Sequence, residues 1–413
     1  MTDRRVYLDF NATAPMRPEV LEAMTRALAQ AGNPSSVHAE GRAAHKLMED
    51  ARARVAALVG ARAEDVVFTG GGSEANTMAL SPLVRVSRRC AAGAGTCATG
   101  DSRPLARLFI GDSEHPSVLA GGRFLPAQIE RIPVNADGVL RPDWLAQRLA
   151  RLAVEEPEAG FLVSVQVANS ETGVLQPVAE IAALVREAGG VIHTDAVQAA
   201  GRMALDIGEL GVDMLTLSAH KLGGPQGVGA LVLASGAVEP GTPLVRGGGQ
   251  ERGRRAGTEN VAGIAGFGAA AALASGELAL RGMSAYPAHL AALRDGFERR
   301  LRNLFPQAVI FGDGAARVCN TSAFAISGLR AETLLMALDL AGMAVSSGSA
   351  CSSGKVRRSH VLAAMGVAPH IAEGALRVSF GWASRADDVD SFVAALEKVA
   401  GMLISRQRGR DAA

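Results

Sequence analysis

The chain has 413 residues, a formal net charge of +1, and 48% apolar but only 4% aromatic residues. That length exceeds one typical core and predicts two domains built mainly of Ala, Val, Leu and Ile, and the near-zero charge argues against a nucleic-acid or anionic-membrane partner. No signal peptide or run of 18 apolar residues is visible, and Cys90, Cys97, Cys319 and Cys351 show no CxxC or metal-ligand spacing, which fits a reducing cytoplasm.

Up to about residue 261, short apolar runs alternate with helical patterns. Strands are predicted at 66–69, 107–110, 161–167, 190–194, 213–218 and 229–234, with amphipathic helices at 41–59 and 177–188 among them. Continuously apolar strands separated by helices read as an α/β fold with a mostly parallel sheet covered on both faces. Residues 88–107, rich in Ala, Gly and Ser, read as a surface insertion in which Cys90 and Cys97 are incidental. Beyond residue 262 the pattern becomes Ala/Leu-rich helices at 263–280 and 286–304, a segment 320–327, a helix at 331–341, a Gly/Ser loop, a strand at 376–380 and a final helix. The expected organisation is a large α/β domain over 16–261. A smaller α+β domain takes 1–15 and 262–413 and carries a mobile segment at about 345–358.

Candidate chemistry lies at strand ends, where open α/β sheets form their sites. After 66–69 comes Gly70-Gly71-Gly72-Ser73, which opens a helix. Glycines let backbone approach an anion, a helix N-terminus offers free N–H groups, and Ser73 adds a hydroxyl; a simple tight turn is the alternative. The strand at 190–194 ends in Asp195, with Gln198 three residues on. A buried carboxylate needs a partner, and a protonated pyridine nitrogen is one; a helix N-cap is another role for the same residue. Gln198 is placed to donate to the phenolic oxygen of such a cofactor.

Lysine occurs only at Lys46, Lys221, Lys355 and Lys398 in this arginine-using chain. Lys221 alone follows a continuous apolar run and precedes Leu222-Gly223-Gly224-Pro225. Arginine cannot replace lysine where an amine must deprotonate and condense with an aldehyde. That points to a Schiff base and hence to pyridoxal phosphate, with Ser218 and His220 beside its phosphate; a solvated loop lysine is the bland alternative. Cys351 sits in Ser346-Ser347-Gly348-Ser349-Ala350-Cys351-Ser352-Ser353-Gly354, a polar, small-residue context that suits a reactive thiol. Lys355, Arg357 and Arg358 follow, and either favour the thiolate, steer an acidic acceptor, or form a solvated basic surface.

These residues, with Tyr7-Leu8-Asp9-Phe10-Asn11-Ala12-Thr13-Ala14-Pro15, Gly32-Asn33-Pro34-Ser35-Ser36-Val37-His38, Ser113-Glu114-His115-Pro116, Asn169-Ser170-Glu171-Thr172-Gly173 and Arg254-Arg255-Ala256-Gly257-Thr258-Glu259-Asn260, carry a specific likeness. The chain resembles the NifS/IscS-type cysteine desulfurases over nearly its whole length. These belong to the class V aminotransferase group of fold-type I pyridoxal-phosphate enzymes. The resemblance implies that Lys221, His115 and Cys351 are catalytic, with His115 stacked on the cofactor ring. It implies that Gly72, Ser73, Asn169, Ser170, Asp195, Gln198, Ser218, Ala219, His220 and Thr258 hold the cofactor, Thr258 reaching across a homodimer. Arg377 and Asn33 bind substrate, Arg377 clamping its carboxylate.

Ser170 stands where the family has a second asparagine, and Val356-Arg357-Arg358 where it often has an acidic residue and proline. The implied reaction converts L-cysteine to L-alanine, leaves a persulfide on Cys351, and passes sulfur to an acceptor or iron–sulfur scaffold protein. The sequence around Cys351 leans towards the nitrogen-fixation type, in which Cys351 also serves as a transient iron–sulfur ligand. A selenocysteine lyase or another class V aminotransferase is the alternative, and a non-catalytic assembly scaffold a remoter one.

Overall fold

The structure, a computed structural model, describes residues 5–86, 105–236, 238–239, 241–279, 285–347 and 358–411. Its main sheet has seven strands in the spatial order Val66–Thr69, Gly229–Leu233, Met214–Ser218, Val191–Asp195, Gly160–Ser164, Leu105–Gly111 and Ile129–Ile132. All point the same way except Gly229–Leu233, which is antiparallel to both neighbours. Side chains alternate across the sheet, as strand geometry requires. Phe68, Val163, Ile192 and Leu215 enter one core with Val55, Ile181 and Phe267. Val67, Leu162, Val191 and Met214 enter a second, on the other face, with Met78 and Leu80. Burial on both faces explains why Met214–Ser218 and Gly229–Leu233 read as unbroken apolar runs.

The predicted strands lie within a few residues of the observed ones. The segment expected at 161–167 leaves the sheet after Ser164 but stays extended, its Val165 N–H donating to the His193 carbonyl (3.1 Å) and its Val167 N–H to the Asp195 carbonyl (2.9 Å). The edge strand Ile129–Ile132 was not foreseen. It is four residues long and exposes Glu130 and Arg131 in part, so it lacks the apolar continuity of the central strands.

A three-stranded antiparallel sheet, Val309–Ile310, Thr321–Ala325 and Leu376–Ser379, anchors a separate core. Phe297, from the helix Ala285–Leu304, packs at 5.3 Å from Phe324 and 5.4 Å from Phe392 at its centre. Val6 and Leu8 join this core, and Val6–Tyr7 pairs in parallel with Met343–Ala344.

The helix expected at 263–280 belongs elsewhere than anticipated. Observed as Val261–Ala279, it places Ile264, Phe267, Ala270, Ala271 and Ala274 in the large core, against the helices Pro18–Leu28 and Ala39–Ala57. A Cβ at Gly268 would lie 2.5 Å from Ala51 Cα, so glycine permits that approach. The boundary set at 262 therefore falls one helix too early. The window Val261–Leu278 is apolar enough to cross a membrane, with mean hydropathy 1.4, and is half buried in this core.

Candidate active site

Every strand whose end was singled out delivers its residues to the same edge of the main sheet. Gly70–Gly72 follow Val66–Thr69, His115 follows Leu105–Gly111, Asn169 follows Gly160–Ser164, Asp195 ends its own strand, and Lys221 follows Met214–Ser218. The common direction of these strands makes this convergence a matter of topology.

Lys221 is half-buried, and its Nζ donates to the carbonyls of Asn11 (2.5 Å) and Ala12 (2.7 Å). Those acceptors come from the N-terminal segment, which crosses back from the second core and is held by Ala14 N–H donating to the His220 carbonyl (2.9 Å). Gln198 Nε2 donates to the same Asn11 carbonyl at 3.1 Å, so the lysine and the glutamine share an acceptor. His220 pairs through Nδ1 with Thr13 Oγ1 at 3.2 Å. Burial, aided by the charges of Lys221 and His115, pushes its pKa down to about 4.

Asp195 is buried and doubly fixed. One oxygen accepts from Val197 N–H (3.0 Å), the other from Asn76 Nδ2 (2.8 Å), which also donates to Ser117 Oγ (2.9 Å). Asn76 Oδ1 is buried without a partner. His115 caps the short helix Pro116–Leu119, its Nδ1 accepting from Ser117 N–H (3.2 Å). The neutral ring so held carries its proton on Nε2. Burial lowers the His115 pKa, with Lys221 and His360 adding to the effect and Asp195 opposing it. These groups thus share one electrostatic neighbourhood.

The glycine turn fits a phosphate. A Cβ at Gly71 (φ +148°) would meet nothing within 4 Å, while one at Gly72 would lie 3.1 Å from Val197 Cγ2 and 3.5 Å from Ser218 Cβ. Gly72 is thus pressed against Ser218 with an open side beyond, and the helix Gly72–Ala79 presents its unpaired first-turn N–H groups there. Ser73, in that turn, is exposed. An amine, a fixed buried carboxylate, a protonatable ring and an anion cradle together match the donor set that pyridoxal phosphate needs.

Opposite stands Arg377, 4% exposed, within the strand Leu376–Ser379. It donates to Asp9 Oδ1 (2.6 Å) and to the Ser170 carbonyl (3.0 Å), while its buried Nε has no partner. Position 170 contributes its backbone oxygen, which also accepts from Asn11 Nδ2 (3.1 Å), a contact that does not depend on its side chain. Asn169 is spent mostly on its own turn: Oδ1 accepts from Glu171 N–H and Thr172 N–H (both 2.9 Å), and Nδ2 donates to the Ser113 carbonyl (2.9 Å).

Positions 348–357, and with them Cys351, Lys355 and Arg357, lie outside the described residues, as do Cys90 and Cys97. Their flanks are fixed beside Arg377. Ser346 exchanges backbone hydrogen bonds with Arg377 (3.1 and 2.6 Å), and Ser359 caps the helix His360–Ala364 and donates its hydroxyl to Glu171. Arg358 is exposed and pairs with Glu373 at 3.2 Å. Asn33 and Thr258 are both exposed. Asn33 Oδ1 accepts from Ser35 N–H (2.9 Å). The segment of Thr258 is tied to the glycine turn by Arg255 Nε, which donates to Glu74 Oε1 at 2.9 Å. Among the described residues no cluster of His, Cys, Asp or Glu could hold a metal ion.

Residues 6–392 match the aminotransferase class-V family, and the chain belongs to that family. It is 42% identical over 407 residues to a cysteine desulfurase of Cereibacter sphaeroides, covering 97% of this chain and 96% of that one. It is 37% identical over 400 residues to the cysteine desulfurase IscS of Dictyoglomus turgidum, covering 96% and 94%. Among solved structures, a NifS-like protein from Rickettsia africae aligns with a TM-score of 0.80 at 32% identity, over 96% of this chain and 100% of that one.

Proposed function

We infer that the chain is a pyridoxal-phosphate-dependent cysteine desulfurase that converts L-cysteine to L-alanine and carries the sulfur away as a persulfide. The observation that carries this reading is the single edge at which Lys221, Asp195 and His115 converge opposite Arg377. When bound, pyridoxal phosphate supplies an electron sink for chemistry at the substrate α-carbon. Lys221 would hold it covalently, Asp195 would face its pyridinium nitrogen, Gln198 its phenolic oxygen, and the Gly72 turn with Ser218 and His220 its phosphate.

Arg377, oriented by Asp9 and Ser170, binds the cysteine carboxylate with a two-pronged guanidinium. Lys221, freed as an amine, takes the α-proton at Nζ and can return it as the ammonium, while the neutral His115 ring offers its Nε2–H as a hydrogen-bond donor beside it. The Cys351 thiolate then attacks the substrate sulfur: an S–S bond forms, the substrate C–S bond breaks, and the β-carbon gains a proton on the way to alanine. Cys351 stands five positions after the Ser346 anchor. An extended chain spans at most about 3.5 Å per residue, which keeps the Cys351 Cα within about 18 Å of the Ser346 Cα.

The persulfide sulfur passes to an acceptor protein, and iron–sulfur cluster assembly, including the nitrogen-fixation form, is the pathway we propose. Exposure of both Asn33 and Thr258 in the single chain supports a homodimer in which Thr258 serves the partner's cofactor. The reaction we propose is cytoplasmic. Incubating the purified holoenzyme with L-cysteine tests the reading. Equimolar alanine and transferable sulfur are expected, with one added sulfur mass on the Cys351 peptide; full-rate alanine formation by Cys351→Ala overturns it.

A further inference from the structure

Arg202 is a fully buried guanidinium with no carboxylate in ion-pair distance among the described residues. It lies one turn beyond Gln198, and its Nη1 donates to both the Gln198 carbonyl (2.5 Å) and Gln198 Oε1. A buried cation without a counter-charge is costly and asks for a reason. The Cys319 thiol donates to the Arg202 carbonyl at 3.6 Å, and the nearby positive charge of Arg377 acts against Arg202. Burial pulls the Arg202 pKa down to about 10, against which Cys319 and Tyr286 act, so the group stays charged at neutral pH.

The consequence falls on Gln198. A glutamine amide can face either way, but guanidinium is purely a donor and a backbone carbonyl purely an acceptor. Arg202 on one side and the Asn11 carbonyl on the other leave one orientation, Oε1 towards Arg202 and Nε2 towards Asn11. Because Lys221 Nζ donates to that same carbonyl, the amide N–H groups are held at the lysine end of the site, with a positive charge directly behind them.

Resting on the cofactor reading above, we propose that Arg202 is a positioning residue that acts through Gln198. It locks the amide as a donor to the cofactor's phenolic oxygen and lowers the proton affinity of the nitrogen that joins Lys221 to the cofactor. Both effects have the same sign, since donation stabilises the phenolate and the buried cation opposes a second positive charge nearby. The other charged or titratable groups around that nitrogen are Asp195, His115, His220, and Arg377 with Asp9. Of these, Arg377 also feels the charge of Arg202, and Asp195 precedes Arg202 on the same segment.

The test is a pH titration of the visible absorption band of the reconstituted holoenzyme. In Arg202→Met the midpoint should rise by about one pH unit, and in Arg202→Lys, which keeps the charge and a donor, by about a third of that or less. An intact band with an unshifted midpoint in Arg202→Met overturns the proposal. If that variant fails to fold, Gln198→Glu reads the same relation, because a carboxylate would neutralise Arg202 and remove the amide donor. Its midpoint must then rise, and a midpoint at or below the unaltered protein's overturns the proposal. A holoenzyme that shows no such band before any substitution removes the cofactor reading itself, a separate failure.

Discussion

The two sides of the site are built in different ways. On the cofactor side, His115, Asp195, Gln198 and Lys221 each follow a strand of one sheet within a few residues, so the ladder that holds the strands also sets their spacing. On the substrate side, Asp9, Ser170, Ser346, Ser359 and Arg377 come from five separate stretches and meet only where the two cores touch. The first side inherits its precision from secondary structure. The second depends on a few hydrogen bonds between bodies, and it is also where the cysteine segment begins and ends.

The sharpest way to separate the sides is to remove the reactive group of each. Lys221→Ala should abolish the visible cofactor band and lower alanine formation by at least ~10³-fold. Cys351→Ala should lower it comparably while leaving the band intact, and spectra taken beside product assays would show whether the two functions divide in this way. A smaller effect is expected at the joint between bodies. Asp9→Asn keeps a hydrogen-bond acceptor but strips Arg377 of its counter-charge, so stability should fall by about 2 kcal/mol and KM for cysteine should rise on the order of tenfold. Denaturant unfolding with steady-state kinetics measures both, and an unchanged KM would mean that Arg377 does not depend on Asp9.

The sheet side has its own weakness, towards acid. His193 bridges three strands, its Nδ1 paired with Ser164 Oγ (2.8 Å) and its Nε2 with Thr216 Oγ1 (2.9 Å). Burial pushes its pKa down from 6.5 to about 4. The folded state holds this ring neutral while the unfolded chain takes up a proton, so its contribution is complete above pH 6.5 and declines as pH falls towards about 4. The loss amounts to about 3 kcal/mol at the limit. Thermal unfolding between pH 7 and pH 4 should show that slope, and His193→Asn should flatten it. The least effect is expected from replacing Arg357 and Arg358 together with glutamine. Arg358 is an exposed partner of Glu373, so stability should move by less than about 0.5 kcal/mol. Sulfur delivery to an acidic acceptor should slow and lose its salt dependence; unchanged delivery together with an unchanged Cys351 pKa would mark these arginines as plain solvated surface.

The same division governed what the sequence revealed. Lys221 stood out by rarity, and Asp195 by ending an apolar run, because strand-end chemistry is written within a few consecutive residues. Asn11 was legible only as part of a motif. Its decisive group is a backbone carbonyl, which has no side-chain signature. Asn76 hid on the buried face of a short helix, and Arg202 among the many arginines of the chain, since nothing local to either marks the residue it touches. Asp9 and Arg377 are 368 positions apart, and only the packing of two cores pairs them. The misplaced boundary at 262 has a similar cause, because a helix rich in alanine and glycine gives no clue to which core its small face fits.

The route of residues 5–15 has a consequence for synthesis. This segment pairs with Met343–Ala344, and Asn11 leans on Thr321 and Ser379, yet it ends by supplying the acceptors of Lys221. A nascent chain emerges with its amino end first, so the second-core partners of residues 6–11 are made more than 300 residues after them. The carbonyls that hold Lys221 at the sheet edge are therefore fixed late, and translation must nearly finish before the enzyme acquires the site that its cofactor would enter.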